Sequence, residues 1–287
     1  MRAVAHAKIN WALDITGERE DGYHLMDMLM QPITLTDTLH FEANDSDVIS
    51  LSVKGNSDLP SDQTNLAYRA AKLLCEYTGQ KHGVRIILDK SIPCGAGLGG
   101  GSSDAAAVLL ALNRLWSLSL SPDVLDELAL KLGADVPFFL HGNLCRVHGI
   151  GEDIQELSPG PRWHLVIIQP CEGLSTRDIF HGYNELNEIV HPDMDHLQLC
   201  LLSEDLSILP IHPGNVLESV SYQSHPEIGQ AAGFLVRNHA VCAQMSGSGS
   251  AVFGVFENAK LAEAAAENAR ERWERVWVCQ TCDEALH

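Results

Sequence analysis

The residues best suited to chemistry in this 287-residue sequence lie between Ser91 and Trp116, S-I-P-C-G-A-G-L-G-G-G-S-S-D-A-A-A-V-L-L-A-L-N-R-L-W. Five of the seven residues from Gly95 to Gly101 are glycine. Glycine lacks Cβ and admits positive φ, so a bulky anion can approach successive backbone N–H groups. A β-branched run, Arg85–Asp89, precedes the loop, and a run of helix formers from Ala105 follows it. The unpaired N–H groups and positive dipole end of a helix N-terminus favour phosphate. Ser102, Ser103 and Asp104 are all good capping types. A glycine-rich turn with no ligand is the bland alternative, but a strand-to-helix switch makes a polyphosphate cradle the stronger reading. That cradle spans Pro93, Cys94, Gly95, Ala96, Gly97, Leu98, Gly99, Gly100, Gly101, Ser102 and Ser103.

Four smaller groups accompany the cradle. Lys8 and Asn10 fall on one face of the alternating run Ala3–Ile15, and a lysine in so apolar a stretch is unusual unless paired or snorkelling. Asp21-Gly22 makes a turn that delivers Tyr23 and His24 together, an aromatic and an imidazole suited to stacking on a ring and bonding its edge, although on these residues alone a hairpin turn with two surface side chains is the stronger reading. Asp135 sits in L-G-A-D-V-P-F-F-L, where a carboxylate is costly to bury unless a cation or several N–H groups face it. The small-residue turn Ser246–Ser250 offers a second set of backbone N–H groups to an anion.

Several familiar cradles are excluded by what is missing. A P-loop wants Lys-Ser/Thr directly after its last glycine, and a protein kinase wants V-A-I-K and H-R-D; none is present. Gly95, Gly97 and Gly100 match the dinucleotide fingerprint G-x-G-x-x-G literally. That fingerprint also needs a parallel strand ending in an acidic residue about 20 positions on, where Asp123 and Asp126 instead fall in a helical pattern. A dinucleotide-binding oxidoreductase stays as an alternative on the fingerprint alone.

These groups need elements to hold them. Strands are expected at Ala3–Ile15, Leu25–Ile33, Thr38–Ala43, Val48–Val53, Val84–Asp89, Trp163–Gln169 and Val276–Cys279, with two more flanking the Ser246–Ser250 turn. Helices are expected at Asn65–Tyr77, Ala105–Trp116, Pro122–Lys131, Thr176–Tyr183, Asn215–Ser221, Glu227–Asn238 and Lys260–Arg272, with a short one opening at Pro137. His191–His196 reads as a solvated loop whose spacing matches no metal pattern. The densest breaker cluster, Ser158-Pro159-Gly160-Pro161, marks a boundary between domains 1–158 and 159–287.

Acidic residues outnumber basic ones 38 to 19, a formal charge of −19, which argues against nucleic acid and anionic membrane as partners. No apolar run approaches the roughly 18–20 residues of a membrane span, and no leader opens the sequence, so a cytoplasmic protein is expected. The eight cysteines, including the lone Cys279/Cys282 pair, read as reduced structural thiols.

The stretches A-K-I-N, D-G-Y-H, G-A-G-L-G-G-G-S-S-D-A-A, L-G-A-D-V-P-F-F and M-S-G-S-G-S together resemble the GHMP small-molecule kinases over essentially the whole chain. K-x-N with G-Y-H and G-A-D-V-P-F selects the branch acting on a cytidine diphosphate derivative of methylerythritol, a step toward isoprenoids. Homoserine, mevalonate and galactose kinases lack that combination. The resemblance implies an α+β fold of two-layer α/β sandwiches. It places ATP over the glycine loop of an N-terminal domain and the substrate between that domain and a C-terminal one. It makes Lys8 and Asp135 the catalytic pair, with Asn10, Gly247 and Ser248 holding the small-molecule substrate. Tyr23, His24 and Phe180 would read its cytosine. ATP and Mg²⁺ would be the cofactors, with Ser103 contacting the metal, in a monomer or weak homodimer. Another GHMP kinase is the near alternative. His6 stands where proline is usual and Trp11 where leucine is common. Val216 replaces a frequent aspartate in Asn215-Val216-Leu217-Glu218, which weakens any functional role for Asn215.

Overall fold

In the computed structural model the described residues are 1–44, 46–56, 59–80, 82–158, 161–203 and 214–283. The N-terminal alternation becomes strand β1 (Arg2–Glu18), antiparallel to the 21-residue strand β2 (His24–Asn44). The two strands expected at Leu25–Ile33 and Thr38–Ala43 are therefore one. Register shifts on β1 at His6/Ala7, Asn10/Ala12 and Ile15/Gly17 let so long a ribbon bend without breaking. Strand β3 (Ile49–Lys54) runs parallel to β4 (Gly83–Asp89), and β4 pairs antiparallel with the far half of β2. Strands β5 (Cys145–Gly149) and β6 (Asp153–Glu156), not anticipated from the sequence, complete the sheet. Its order is β3-β4-β2-β5-β6, with β1 on β2.

The second sheet holds β7 (His164–Ile168), β8 (Cys242–Met245), β9 (Val252–Phe256) and β10 (Val276–Gln280), all antiparallel in the order β10-β7-β9-β8. The breaker cluster expected at the domain boundary has Pro159 and Gly160 outside the described residues.

Helices α1 (Leu66–Thr78), α2 (Gly100–Leu115), α3 (Pro122–Leu132) and α4 (Val136–His141) belong with the first sheet. Helix α2 packs on β1, α1 and α4, and its alanine-rich turns from Ala105 to Ala107 are buried, the pattern of a helix enclosed on most sides. It starts at Gly100, five residues before the expected Ala105. Gly99, left-handed at φ 69°, takes the N-cap position that Ser102, Ser103 or Asp104 was expected to fill. No parallel strand follows this helix: the next strand, β5, pairs antiparallel with β2. The dinucleotide-binding architecture is thereby ruled out.

Helices α5 (Thr176–Asn184), α6 (Met194–Leu202), α7 (Glu218–Ser224), α8 (Pro226–Arg237) and α9 (Ala259–Arg270) follow. The last two pack on the second sheet, giving an α+β protein of helices layered on two sheets. The His191–His196 stretch is not a loop throughout. The Asp193 side chain caps α6 by accepting from His196 N at 3.0 Å, and Asp195 pairs with Arg146 at 2.6 Å.

Candidate active site

The glycine loop leaves β4 through Lys90 and is fixed at its root by a buried ionic cluster. Lys90 Nζ donates to Asp104 Oδ2 at 2.8 Å and to Asp37 Oδ2, while Asp37 Oδ1 accepts from Ser91 N at 2.6 Å and Ile92 N at 2.9 Å. Burial opposes the Lys90 charge, but the two carboxylates outweigh it and hold its pKa above the ordinary lysine value. Burial raises the Asp104 carboxyl to about 7 against the pull of Lys90. One residue from each side of the loop and one from β2 thus hold its two ends together. No sequence signal announced this cluster.

Left-handed glycines shape the loop itself, and two of them bring other elements close. A Cβ on Gly97 (φ +75°) would stand 1.9 Å from the carbonyl oxygen of Ser246, and one on Gly99 would stand 2.7 Å from the Phe139 ring. The Ser246–Ser250 turn between β8 and β9 is consequently docked on the loop. Ser246 Oγ donates to Gly97 O at 2.9 Å, and Ala251 N donates to Ala96 O at 3.1 Å. The strand carrying Lys8 joins the same seam: Lys8 N donates to Leu98 O at 3.0 Å and Asn10 N to Ser246 Oγ at 3.2 Å.

Behind the turn, Asn215 Nδ2 donates to Met245 O at 3.0 Å and to Gly247 O at 2.8 Å. Glu218 Oε1 accepts from Met245 N at 2.7 Å and from the Tyr222 hydroxyl at 2.8 Å. Burial raises the Glu218 carboxyl to about 7. Asn215, discounted from the sequence because of Val216, braces the turn, and Val216 is buried. Asn215 itself lies outside the helix expected over Asn215–Ser221, in a bridge to Leu13.

Two cavities flank the loop. The larger, about 720 Å³, brings together Lys8, Asn10 and Asp135 at one end, with Tyr23, His24 and Phe180 also on its wall. The smaller, about 370 Å³, is bounded by the loop from Pro93 to Ser102, with Lys90 and Asp104 behind it and Leu59, Asn65 and Leu66 opposite. Gly95, Gly97, Gly99 and Ser102 line both, so the glycine loop is a partition one backbone thick.

Lys8 is 3% exposed, donates to Asn10 Oδ1 at 2.5 Å and lies 3.9 Å from Asp135 Oδ2. Burial pushes its pKa down and the Asp135 charge pulls it back up. Asp135 occupies the N-cap position of α4 but makes no capping bond there, so its carboxylate is left to the cavity. The carboxylate is not deeply buried as its apolar neighbours suggested: it remains 33% exposed, on the wall of the larger cavity. Phe138 and Phe139 are buried beneath and anchor α4 to the loop.

Toward the other end, His24 packs against Phe180 with ring centroids 5.0 Å apart and shares a 2.8 Å hydrogen bond between Nε2 and Asn184 Oδ1. Tyr23 is 62% exposed on the Arg19–Tyr23 turn. Asn184, Thr176 and Arg177 also line the cavity and were not singled out in the sequence; their shared helix face with Phe180 was the available signal. Ser248 bonds Thr176 through its hydroxyl at 2.9 Å. Ser103, expected to contact metal, is fully buried with an unpartnered hydroxyl and lines neither cavity; Ser102 faces both. The early start of α2 causes this, since adjacent helical residues point about 100° apart.

The arrangement suits phosphoryl transfer between groups bound against the glycine loop, whose Gly95, Gly97, Gly99 and Ser102 line both cavities. The loop from Pro93 to Ser102 bounds the smaller cavity, and the Lys8–Asp135 pair lies on the wall of the larger one. Residues 65–143 match the family described as GHMP kinases N terminal domain, and residues 199–275 the GHMP kinases C terminal family. The chain is 38% identical to the 4-diphosphocytidyl-2-C-methyl-D-erythritol kinase of Clostridioides difficile (strain 630), over 100% of this chain and 97% of that protein. It is 40% identical to the enzyme of the same name from Pelotomaculum thermopropionicum, over 99% of each. A crystal structure of 4-(cytidine 5'-diphospho)-2C-methyl-D-erythritol kinase superposes with a TM-score of 0.82 at 37% identity, over 98% of this chain and 99% of that one. Homoserine kinase from Cytophaga hutchinsonii shares the fold, with a TM-score of 0.78 at 19% identity over 100% and 96% of the two chains.

Proposed function

The chain belongs to the 4-diphosphocytidyl-2-C-methyl-D-erythritol kinases of the GHMP group, and from that premise we propose how its residues divide the work. The protein phosphorylates the 2-hydroxyl of 4-diphosphocytidyl-2-C-methyl-D-erythritol at the expense of ATP, a step of the non-mevalonate route to isoprenoid precursors. The observation that carries the reading is the Lys8–Asp135 pair, 3.9 Å apart and open to a cavity whose wall is the back of the nucleotide cradle.

In this reading ATP occupies the smaller cavity with its phosphates along Gly95–Ser102, and the acceptor occupies the larger. Asp135 takes the proton of the attacking hydroxyl. Lys8, steered by Asn10, steadies charge around the group in flight. Phosphoryl transfer depends mostly on alignment and charge stabilisation, and the hydrogen-bonded seam of loop, β1 and turn supplies the alignment. His24, Phe180 and Tyr23 read the cytosine, and the Gly247–Ser248 turn lies between that end and Asn10.

Mg²⁺ fits as an ion carried by the nucleotide. Among the described residues no three His, Cys, Asp or Glu side chains gather to hold a metal, and Mg²⁺ commonly binds through substrate phosphates and water with only one or two protein oxygens. Ser102, open to both cavities, would be the nearer protein oxygen, and the orphaned Ser103 hydroxyl lies behind it. When bound, the ion would neutralise charge on the phosphates.

No helix among the described residues is long and apolar enough to cross a membrane, and all eight cysteines are free thiols. Both fit the cytoplasmic setting we assign. The test is incubation with ATP, Mg²⁺ and diphosphocytidyl-methylerythritol, followed by phosphorus NMR. A new phosphomonoester signal on the acceptor is the expected result. Equal phosphorylation of methylerythritol phosphate, which lacks cytidine, would sink the assignment of the base-reading end.

A further inference from the structure

We propose that Arg177 binds the diphosphate bridge of the acceptor. The proposal rests on the reading above, in which the acceptor's cytidine lies at the His24–Phe180 end and its hydroxyl at the Lys8–Asp135 end. Covalent order then requires the diphosphate to lie between them.

The contacts along the cavity wall give the same order. Lys8 Nζ bonds Asn10 Oδ1, and a Cβ built on Gly247 would touch that same oxygen at 3.4 Å. The next residue, Ser248, bonds Thr176 at the first turn of α5. Arg177 follows directly. Phe180, three residues on, stands about 4.5 Å further along the helix axis and Asn184 about 10 Å further. Phe180 and Asn184 are the two partners of His24. Arg177 therefore occupies the middle of the run, on the α5 face that also presents Phe180, His181 and Asn184 to the cavity.

Its chemistry fits the station. Among the basic side chains lining this cavity, Lys8 is held by Asn10 and Asp135, His24 by Asn184, and His181 lies 3.7 Å from Glu185. The Arg177 side chain has no hydrogen bond or ion pair among the described residues. Asp21 and Asp135 on the wall of the same cavity and the chain's charge of −19 would repel a diphosphate unless a cation offset them locally. A guanidinium presents a planar fork that matches phosphate oxygens in pairs.

The experiment is calorimetry of cytidine and of CDP, with the nucleotide cavity filled by a non-hydrolysable ATP analogue. Wild type should bind CDP about tenfold or more tightly than cytidine, the scale of a hydrogen bond to a charged group. Arg177→Gln should remove most of that gap while leaving cytidine affinity unchanged. It should also raise KM for the diphosphocytidyl substrate about tenfold with kcat and KM for ATP unmoved, and Arg177→Lys should recover part of the loss. A CDP advantage that survives Arg177→Gln overturns the proposal and leaves the base-reading end intact. A wild type that binds neither compound overturns the assignment of that end, and the proposal with it.

Discussion

Gly97→Ala tests whether the seam between loop and turn positions the chemistry. The added methyl would stand 1.9 Å from the Ser246 carbonyl oxygen, whereas carbon and oxygen come no closer than about 3.3 Å without strain. The turn must therefore retreat by roughly 1.4 Å, against the bonds that Asn215 and Glu218 make behind it. Alanine at φ +75° adds roughly 1–2 kcal/mol of backbone strain. A hydrogen bond lost from the seam adds about 1 kcal/mol more. At about 2–4 °C per kcal/mol, the melting temperature should fall by roughly 5–10 °C. A displacement of that size in a positioning element should also lower kcat about 10²-fold. The control is Gly79→Ala, at φ +66° with nothing within 4 Å of the new methyl and lining neither cavity. It should show the backbone strain and no loss of turnover. Melting curves and steady-state kinetics on both variants decide the matter. If Gly97→Ala turned over like Gly79→Ala, the docking of the turn on the loop would be irrelevant to catalysis.

Asp135→Asn should lower kcat by about 10²-fold or more with ATP affinity nearly unchanged, and Lys8→Ala should be at least as damaging; near wild-type turnover in either folded variant, by coupled assay, would remove the pair from the mechanism. Tyr23→Ala should raise KM for the diphosphocytidyl substrate by roughly tenfold or more through lost stacking, with little effect on ATP; the opposite pattern in initial-rate kinetics would reduce D-G-Y-H to a turn. Glu218, raised from 4.5 to about 7 by burial, contributes stability that is fully present below about pH 4.5 and lost as pH rises through about 7. Glu218→Gln keeps an acceptor for Met245 N, so its stability relative to wild type should climb between pH 5 and 8 by on the order of 3 kcal/mol; denaturant unfolding at the two ends of that range would show a constant difference if the carboxyl titrated normally.

Most of the elements were legible because their patterns are local: the alternation around Lys8, the apolar face of the helix from Asn65, the proline that opens α3. The start of α2 was not, since Gly100-Gly101-Ser102-Ser103 has poor helix propensity and is held helical by its docking on β1, α1 and α4. That one misplacement also turned Ser103 inward and Ser102 toward the cavities. Strands β5 and β6, at five and four residues, are too short to show a period. Lys8 and Asp135 came from family resemblance, because their pairing joins β1 to α4 across more than a hundred residues. Asp37, Lys90 and Asp104 were invisible for the same reason: each sits at the edge of an apolar run, and only the folded chain brings the three together.

The partition of Gly95, Gly97, Gly99 and Ser102 has a consequence for how this sequence can change over generations. A side chain added to that wall is met by both ligands, so one substitution there alters two affinities together. The groups assigned to the cytidine end lie elsewhere, on the Arg19–Tyr23 turn and along α5. An altered preference for the acceptor can therefore arise there, one residue at a time, while the cradle stays as it is. The walls of the larger cavity are free to evolve at different speeds.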